Sequence, residues 1–272
     1  MSVHVRCLPV CEVAFPVKAI LNNLGEHLPH DVSIEGVTEV AWSDGTTSEG
    51  VKGPGCVYYI ETNQQKIVVD TGVGDFDLVR SIRQRRGDRF YLQQRSEWDL
   101  SLQLRGLGTD PADIATVIST HLHWDHVGGN RLFRNARFYV QAADLQLART
   151  APRYAPHFFK ELARCTLDVS DRLVVLEGNA CIAPGIEVWK VGGHTPGSQV
   201  VAIESDRGLI VLAGDVISRY ENWDYEWPGP MGNMWSLREL VNAIALLKAR
   251  SAVVIPSHDW KVWQRFPGGI IV

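Results

Sequence analysis

The segment STHLHWDHVGGN, from Ser119 to Asn130, places three histidines and an aspartate within six residues. Imidazole and carboxylate side chains lose free energy when they are buried without partners, so a purely structural role is disfavoured. They are also the nitrogen and oxygen ligands that zinc and its first-row neighbours bind. The His-x-His-x-Asp-His spacing therefore predicts a metal site, because no packing or capping pattern requires it.

Further His and Asp residues follow β-rich runs elsewhere in the chain. In α/β proteins, loops converge on ligands at the carboxyl edge of the strands. His194, Asp215 and His258 together with the four cluster residues make seven potential ligands, too many for one tetrahedral ion but enough for two ions that share a carboxylate. In an extended segment His121 and His123 would point the same way, Asp125 would continue the alternation and His126 would break it. The runs are KIVVD ending in Asp70, ATVIST before His121, IEVWKV before Gly192-Gly193-His194, LIVLAG before Asp215 and SAVVIP before Ser257-His258.

The elements that must position these residues are short strands and a few helices. Near-continuous apolar runs with amphipathic segments between them predict an α/β fold, with sheets covered by helices. Helices are predicted over 142–150 and 236–251, the second with Ser236 and Glu239 as a capping box. Strands are predicted over 56–62, 66–70, 115–120, 136–140, 171–176, 186–191, 198–205, 209–214 and 251–256.

Composition indicates an ordinary globular chain of 272 residues, for which we expect a single domain over 1–272. The net charge of −4 favours neither nucleic acid nor a membrane surface as a partner, and no stretch is apolar enough for a membrane span. Five scattered cysteines predict free thiols in a reducing compartment, and hence a cytoplasmic protein. The basic stretch 80–95 is interpreted as a solvated helix with a mobile end. The N-terminal section 1–55 could cover the site, and its segment 15–50 could also mediate the contacts of a homodimer.

The order of the motifs resembles the metallo-β-lactamase superfamily. THLHWDH is preceded by VVDTG and followed by GGHTPGS, AGD and PSHD, between residues 66 and 259. The resemblance implies an αββα sandwich of two mixed sheets flanked by helices, with a dinuclear metal site at one edge. It also implies that Asp70 orients the metal-binding loop and that Gly128 and Gly129 let the backbone turn into a helix. By the same resemblance His121, His123 and His194 hold one ion, Asp125, His126 and His258 hold the other, and Asp215 bridges them.

The implied chemistry is hydrolysis of a small-molecule substrate. Two divalent ions would make water nucleophilic at neutral pH and polarise the substrate carbonyl. Asp125 would relay a proton to the leaving group. The ligand set favours zinc, with manganese, iron or cobalt as alternatives.

Within the superfamily the chain looks most like the N-acyl homoserine lactonase group, which has a long section before the His loop and ends soon after the last histidine. This resemblance predicts the opening of a lactone or a related cyclic ester or amide. A glyoxalase II-like thioesterase is the alternative enzyme, although a helical domain after His258 would be expected. A non-catalytic metal-binding module is a third hypothesis, which the complete ligand set disfavours.

One departure from the lactonases concerns their tyrosine three residues after the bridging aspartate, which contacts the substrate carbonyl. Here that position is Ser218, and the nearest tyrosine, Tyr220, would need a shifted loop to act as the catalytic residue. The aromatic segment 219–235 could form a wall of the substrate pocket, pack on the core, or do both. Trp124 is predicted to pack beneath the metals.

Overall fold

A computed structural model of the chain describes residues 3–20, 33–150, 160–229 and 235–272. Its strands are β1 Val3–Pro16, β2 Val37–Ala41, β3 Thr47–Thr62, β4 Lys66–Val69, β5 Leu92–Gln93, β6 Thr116–Ile118, β7 Arg137–Gln141, β8 Leu173–Leu176, β9 Ala180–Ala183, β10 Ile186–Lys190, β11 Gln199–Ser205, β12 Gly208–Leu212 and β13 Val253–Ile255. Its α-helices are α1 Val17–Ile20, α2 Phe76–Arg85, α3 Leu100–Gly106, α4 Trp124–Val127, α5 Ala142–Thr150, α6 Lys160–Leu167, α7 Tyr220–Asp224, α8 Leu237–Ala249 and α9 Lys261–Arg265.

The strands form two mixed sheets. The first has the order β5-β1-β3-β4-β6-β7-β8, with β2 paired to β3, and its strands β4, β6, β7 and β8 are parallel. The second has the order β13-β12-β11-β10-β9, and it is antiparallel except where β12 meets β13. Helices cover the outer faces, so the predicted αββα sandwich is confirmed.

The apolar core lies in three layers because side chains alternate across each strand. In β4, Ile67 and Val69 join the cluster between the two sheets, whereas Val68 joins the cluster on the outer face with Leu104 of α3. On the other side of the molecule, Ile244 of α8 packs against the outer face of the second sheet. This packing fixes the two sheets face to face and aligns their edges.

The ligand-bearing loops leave the two sheets at one edge. In the first sheet β4 and β6 run parallel, so the loops after them, which contain Asp70 and His121, start side by side. In the second sheet β10 and β12 are both antiparallel to β11, and β13 is parallel to β12, so all three run in one direction. Their loops carry His194, Asp215 and His258. The predicted gathering of strand ends is therefore confirmed.

The capping box predicted for α8 forms only in part. The Ser236 side chain accepts the Glu239 backbone N–H, as an N-cap should. The Glu239 carboxylate does not turn back to the N-cap; it accepts the Gly193 N–H at 2.9 Å. The start of α8 is therefore tied to the loop that carries His194.

The basic stretch 80–95 continues α2 and then enters β5, with Arg83 packed over the Phe90 ring. The predicted helix therefore ends at Arg85, and the rest of the stretch is not helical. Among the residues that the structure describes, no helix combines the length and the apolar character that crossing a membrane requires.

Candidate metal centre

The His-rich loop changes conformation at His123. This residue is extended, with φ −71° and ψ 153°, and α4 begins at Trp124. The expectation that Asp125 continues an extended alternation is therefore wrong, because Asp125 and His126 lie on the first turn of a helix. The turn separates the potential ligands into two sets, each with ligand atoms within 4.8 Å of one another: His121, His123, His194 and Asp215 in the first, and Asp125, His126 and His258 in the second.

Asp215 lies between the two sets and directs one carboxylate oxygen to each. Its Oδ2 atom is 3.3 Å from His194 Nε2 and 3.9 Å from His121 Nε2. Its Oδ1 atom is 3.0 Å from His258 Nε2 and 3.2 Å from His126 Nε2. This arrangement is the one a carboxylate needs to bridge two cations.

The spacing and the unpaired atoms of the site fit metal ions. Zinc binds nitrogen at 2.0–2.1 Å, so tetrahedral ligand atoms are about 3.3 Å apart. His123 Nδ1 and His194 Nε2 are 3.0 Å apart, close to that value. The Nε2 atoms of His121 and His126 are buried and have no hydrogen-bond partner among the described residues. Such atoms are costly unless an ion binds them, so the residues present fit a pair of divalent ions.

Asp70 fixes the orientation of a ligand in each set. It accepts hydrogen bonds from the Thr120 N–H at 2.7 Å, the Thr120 hydroxyl at 2.8 Å and His126 Nδ1 at 2.8 Å. Because the Thr120 hydroxyl donates to Asp70, it can only accept from His121 Nδ1, 3.1 Å away. Both histidines therefore carry a proton on Nδ1 and direct Nε2 towards Asp215, which supports the predicted orienting role of Asp70.

Asp70→Asn is expected to weaken the binding of metal at the second set by about 10- to 100-fold, because the amide is a poorer acceptor for His126 Nδ1. Asp70 has a positive φ of 60°, which asparagine also tolerates, so the backbone is preserved. Competition with a chromophoric chelator measures the affinity. The matched control is Asp75→Asn, which removes a carboxylate at the N-cap of α2, where asparagine caps equally well. Equal affinities for the wild type and Asp70→Asn would contradict this role.

His258 is held by the N-terminal part of the chain. Its Nδ1 atom is 2.8 Å from the Pro54 carbonyl oxygen, which only accepts, so Nε2 is free to face Asp215. The Phe15 ring packs against the His258 imidazole with centroids 5.4 Å apart. At Gly53 a Cβ atom would overlap the His258 backbone, so only glycine fits there. Residues of β1 and β3 thus pack against His258 and fix its position in the second set.

The electrostatics of the cavity favour positive charge beside Asp215. Burial, together with the neighbouring His126, lowers the pKa of His121 well below its ordinary value and keeps that ring neutral. Burial also opposes ionisation of Asp215, but His258 and His126 outweigh it and hold the pKa of Asp215 well below its usual range. In return the pKa of His126 is raised, despite burial, mainly by Asp215 and Asp70. A cation would occupy the same favourable potential.

Gly128 and Gly129 serve a different purpose from the one predicted. Their φ angles are −59° and −88°, which any residue can adopt, so no special turn requires glycine. Glycine is required at both positions because the backbones are in close contact. A Cβ atom at Gly128 would overlap the Val73 carbonyl, and one at Gly129 would overlap the Thr71 carbonyl. The missing side chains let α4 lie directly on the loop after β4.

The metallo-beta-lactamase superfamily profile matches residues 50–258, which include the whole ligand set. The chain belongs to this superfamily. It is similar to the N-acyl homoserine lactonase of Bacillus cereus, with 31% identity over 176 residues, covering 63% of this chain and 67% of the relative. An N-acyl homoserine lactonase of Bacillus thuringiensis subsp. kurstaki is 30% identical over 211 residues, covering 74% of this chain and 80% of the relative.

Solved structures of the superfamily share the fold. A structure of an N-acyl homoserine lactone hydrolase, described with the product N-hexanoyl-L-homoserine at its catalytic metal centre, aligns with a TM-score of 0.75. The alignment covers 98% of this chain and 99% of that one, at 23% sequence identity. At this identity the likeness concerns the fold, and it agrees with the two mixed sheets and flanking helices described above.

Tyr220 does not lie with the superfamily ligand set in the structure. It is 1% exposed and belongs to the core between the sheets, with the Arg265 guanidinium 3.6 Å from its ring centroid. Its hydroxyl is buried and has no hydrogen-bond partner among the described residues. The loop shift that a catalytic Tyr220 would need is absent, because residues 214–217 form a 3₁₀ turn that leads straight into α7.

Tyr220→Phe is therefore expected to leave metal content and kcat/KM within about twofold of the wild type. Removing a buried hydroxyl without a partner should maintain stability or raise it by about 1 kcal/mol. Thermal unfolding and initial-rate kinetics on the same preparation check both points. A loss of kcat above tenfold in Tyr220→Phe, with both metals retained, would instead show that the Tyr220 hydroxyl takes part in catalysis.

Some side chains of the aromatic segment 219–235 are buried in the core and others lie at the surface. Its residues 230–234 lie outside the described part of the chain. Trp223 and Trp227 pack against hydrophobic clusters. Trp235 is 47% exposed and donates its backbone N–H to Gly193 at 2.7 Å, beside the His194 loop. Trp124 is buried in an apolar cluster with Phe76 and Val79, so its ring packs in the core, while its place beneath the metals stays a prediction.

Several side chains that support the superfamily ligands were not predicted. Ser257 donates its hydroxyl to Asp215 Oδ1 at 2.7 Å, and Thr120 connects Asp70 with His121. Both directly precede a ligand in the chain, and this adjacency is the signal that could have found them. Asp144 and Glu239, which hold the loops from two helices, have no comparable signal in the sequence.

Proposed function

We propose that this chain is a dinuclear metal-dependent hydrolase that opens lactone rings, with N-acyl homoserine lactones as the first substrate class. The observation that carries the proposal is the division of the Asp215 carboxylate between two sets of histidines, because it supplies a bridge for two cations. The relatives named N-acyl homoserine lactonase support the choice of substrate, since one is 31% identical over 176 residues and another is 30% identical over 211 residues.

The ligand sets assign the residues that would hold the ions. Asp215 would be shared by the two ions, because its two carboxylate oxygens face different sets of histidines. When bound, two divalent ions lower the pKa of water and polarise the carbonyl of the ester. Besides Asp215, the first set comprises His121, His123 and His194, and the second comprises Asp125, His126 and His258.

Asp125 is suited to move the proton in the ring opening. All five histidines of the site are buried, whereas Asp125 keeps partial exposure and can face the substrate side. In the reaction the oxygen of water bonds to the carbonyl carbon, and the bond from that carbon to the ring oxygen breaks. Asp125 would take a proton from that water and deliver it to the ring oxygen, which becomes the hydroxyl of the product. The carbonyl carbon becomes a carboxylate of the same molecule, and the second proton of the water goes to solvent.

A panel of substrates tests the proposal on metal-loaded protein. It comprises an N-acyl homoserine lactone, an open-chain ester of the same acyl group, an S-acyl glutathione thioester and a β-lactam. The lactone is expected to show the highest kcat/KM, and His123→Ala, which lacks a ligand of the first set, is the matched inactive control. A higher kcat/KM for the thioester would favour the thioesterase alternative. Full metal occupancy without hydrolysis of any member would favour a binding module.

We further propose zinc as the resident ion and the cytoplasm as the location. Imidazole and carboxylate ligands suit zinc, with manganese, iron or cobalt as the alternatives that elemental analysis would reveal. All five cysteines are free, and Cys7, Cys11 and Cys56 are buried, which supports a reducing compartment. Cell fractionation with an antibody against the chain tests the location.

A further inference from the structure

Asp144 is a buried carboxylate outside both ligand sets. It lies in the first turn of α5 and is 1% exposed. Its Oδ2 atom accepts the Leu122 N–H at 3.1 Å and the Thr195 hydroxyl at 2.8 Å, and its Oδ1 atom accepts the Gly197 N–H at 2.7 Å. Three donors on one buried carboxylate offset the free energy lost when its charge leaves water.

The donors belong to loops from different sheets. Leu122 lies between the ligands His121 and His123 after β6, whereas Thr195 and Gly197 lie in the loop after β10. A Cβ atom at position 197 would overlap the Asp144 carboxyl group, so the loop approaches this closely only with glycine. One side chain thus spans the gap between the two loops that supply the first ligand set.

The His194 loop is also held from its other side. Glu239 of α8 accepts the Gly193 N–H, one residue before His194, and Thr195 on the following side is held by Asp144. Glu239, however, reaches only this loop in the described contacts, whereas Asp144 reaches the His121–His126 loop as well. Gln199 also joins these segments through hydrogen bonds to the Thr120 and Ser119 carbonyls. Asp144 differs in that its partners include Leu122, between His121 and His123, and Thr195, next to His194.

We propose that Asp144 is a positioning residue that sets the spacing of His121, His123 and His194 and thereby the affinity of the first metal site. The inference rests on the metal centre of the proposed function but not on the substrate. It predicts a loss that is selective for the first ligand set, because the hydrogen bonds of Asp144 flank members of that set.

Asp144→Asn tests the proposal because no orientation of an amide satisfies all three donors. Either the Leu122 N–H or the Gly197 N–H would face the NH₂ group. Zinc affinity is measured in two backgrounds, His258→Ala, which leaves the first set intact, and His123→Ala, which leaves the second. Asp144→Asn is expected to lower the affinity about 10- to 100-fold in the first background and less than threefold in the second. Unchanged affinity in the first background, or equal losses in both, would overturn the proposal.

Two further variants separate positioning from general damage. Asp99→Ala removes a carboxylate that caps α3 far from the ligands, and it should leave zinc affinity unchanged in both backgrounds. A loss like that of Asp144→Asn would overturn the proposal. If Asp144→Asn fails to fold, Thr195→Val, which removes one hydroxyl, decides: a loss of roughly threefold or more in the first background supports the role, and none overturns it. Zinc binding without lactone hydrolysis would instead count against the proposed function alone.

Discussion

Asp215→Asn is expected to reduce metal content from two ions per chain to at most one and to lower kcat/KM by about 10³-fold or more, roughly 4 kcal/mol. The two carboxylate oxygens face different ligand sets, and asparagine offers one neutral oxygen and an NH₂ group instead. That NH₂ group would point at histidine nitrogens that are placed to bind an ion. Elemental analysis and initial rates measure the two effects.

The control for this prediction is a carboxylate without any role in the site. Asp171→Asn removes an equal charge from a side chain that is 78% exposed, and both metal content and rate should match the wild type. If Asp215→Asn kept both ions and lost less than tenfold in rate, the bridging role would be refuted.

Removal of the metal is expected to lower the melting temperature by on the order of 10 °C and to abolish hydrolysis. Ion present at about 1,000 times its Kd stabilises the fold by about 4 kcal/mol, and each kcal/mol is worth a few degrees in a chain of this size. After chelation the Nε2 atoms of His121 and His126 remain buried without a hydrogen-bond partner among the described residues. Calorimetry of the holo and chelated protein measures the shift.

Re-addition of zinc to the chelated protein should restore both the melting temperature and the rate. Magnesium, which prefers oxygen ligands in octahedral geometry, is the matched control ion and should restore neither. A chelated protein, shown by elemental analysis to be free of metal, that melts and hydrolyses like the holo protein would contradict this prediction.

Much of the fold could be predicted because the spacing of apolar residues along the sequence indicates which segments are buried strands or helices. All nine predicted strands are present, with ends that differ by several residues in places. The long strand β1 was missed because His4, Arg6 and Glu12 interrupt its apolar residues. In the sheet His4 is exposed, while Glu12 is satisfied by the Tyr91 hydroxyl and the Trp260 indole. Because those partners are distant in sequence, the pattern of residues within 3–16 alone could not reveal that the segment forms a strand.

The residues of the site could be predicted where they belong to a recognisable sequence motif. The His-x-His-x-Asp-His spacing and the strand ends pointed to all seven candidate ligands, and the structure places them in two neighbouring groups that could hold metal ions. It could not be foreseen that α4 would start at Trp124, since a four-residue helix leaves little periodicity. The Pro54 carbonyl and the Asp144 carboxylate act through contacts that only the tertiary fold creates. Tyr220 was proposed from its distance to Asp215 in sequence, whereas α7 directs its ring into the core.

Anomalous diffraction at the zinc edge, from crystals of zinc-loaded protein, tests the central claim most directly. We expect two peaks, one among His121, His123 and His194 and one among Asp125, His126 and His258, with Asp215 between them. A single peak, or zinc bound elsewhere with these side chains empty, would contradict it.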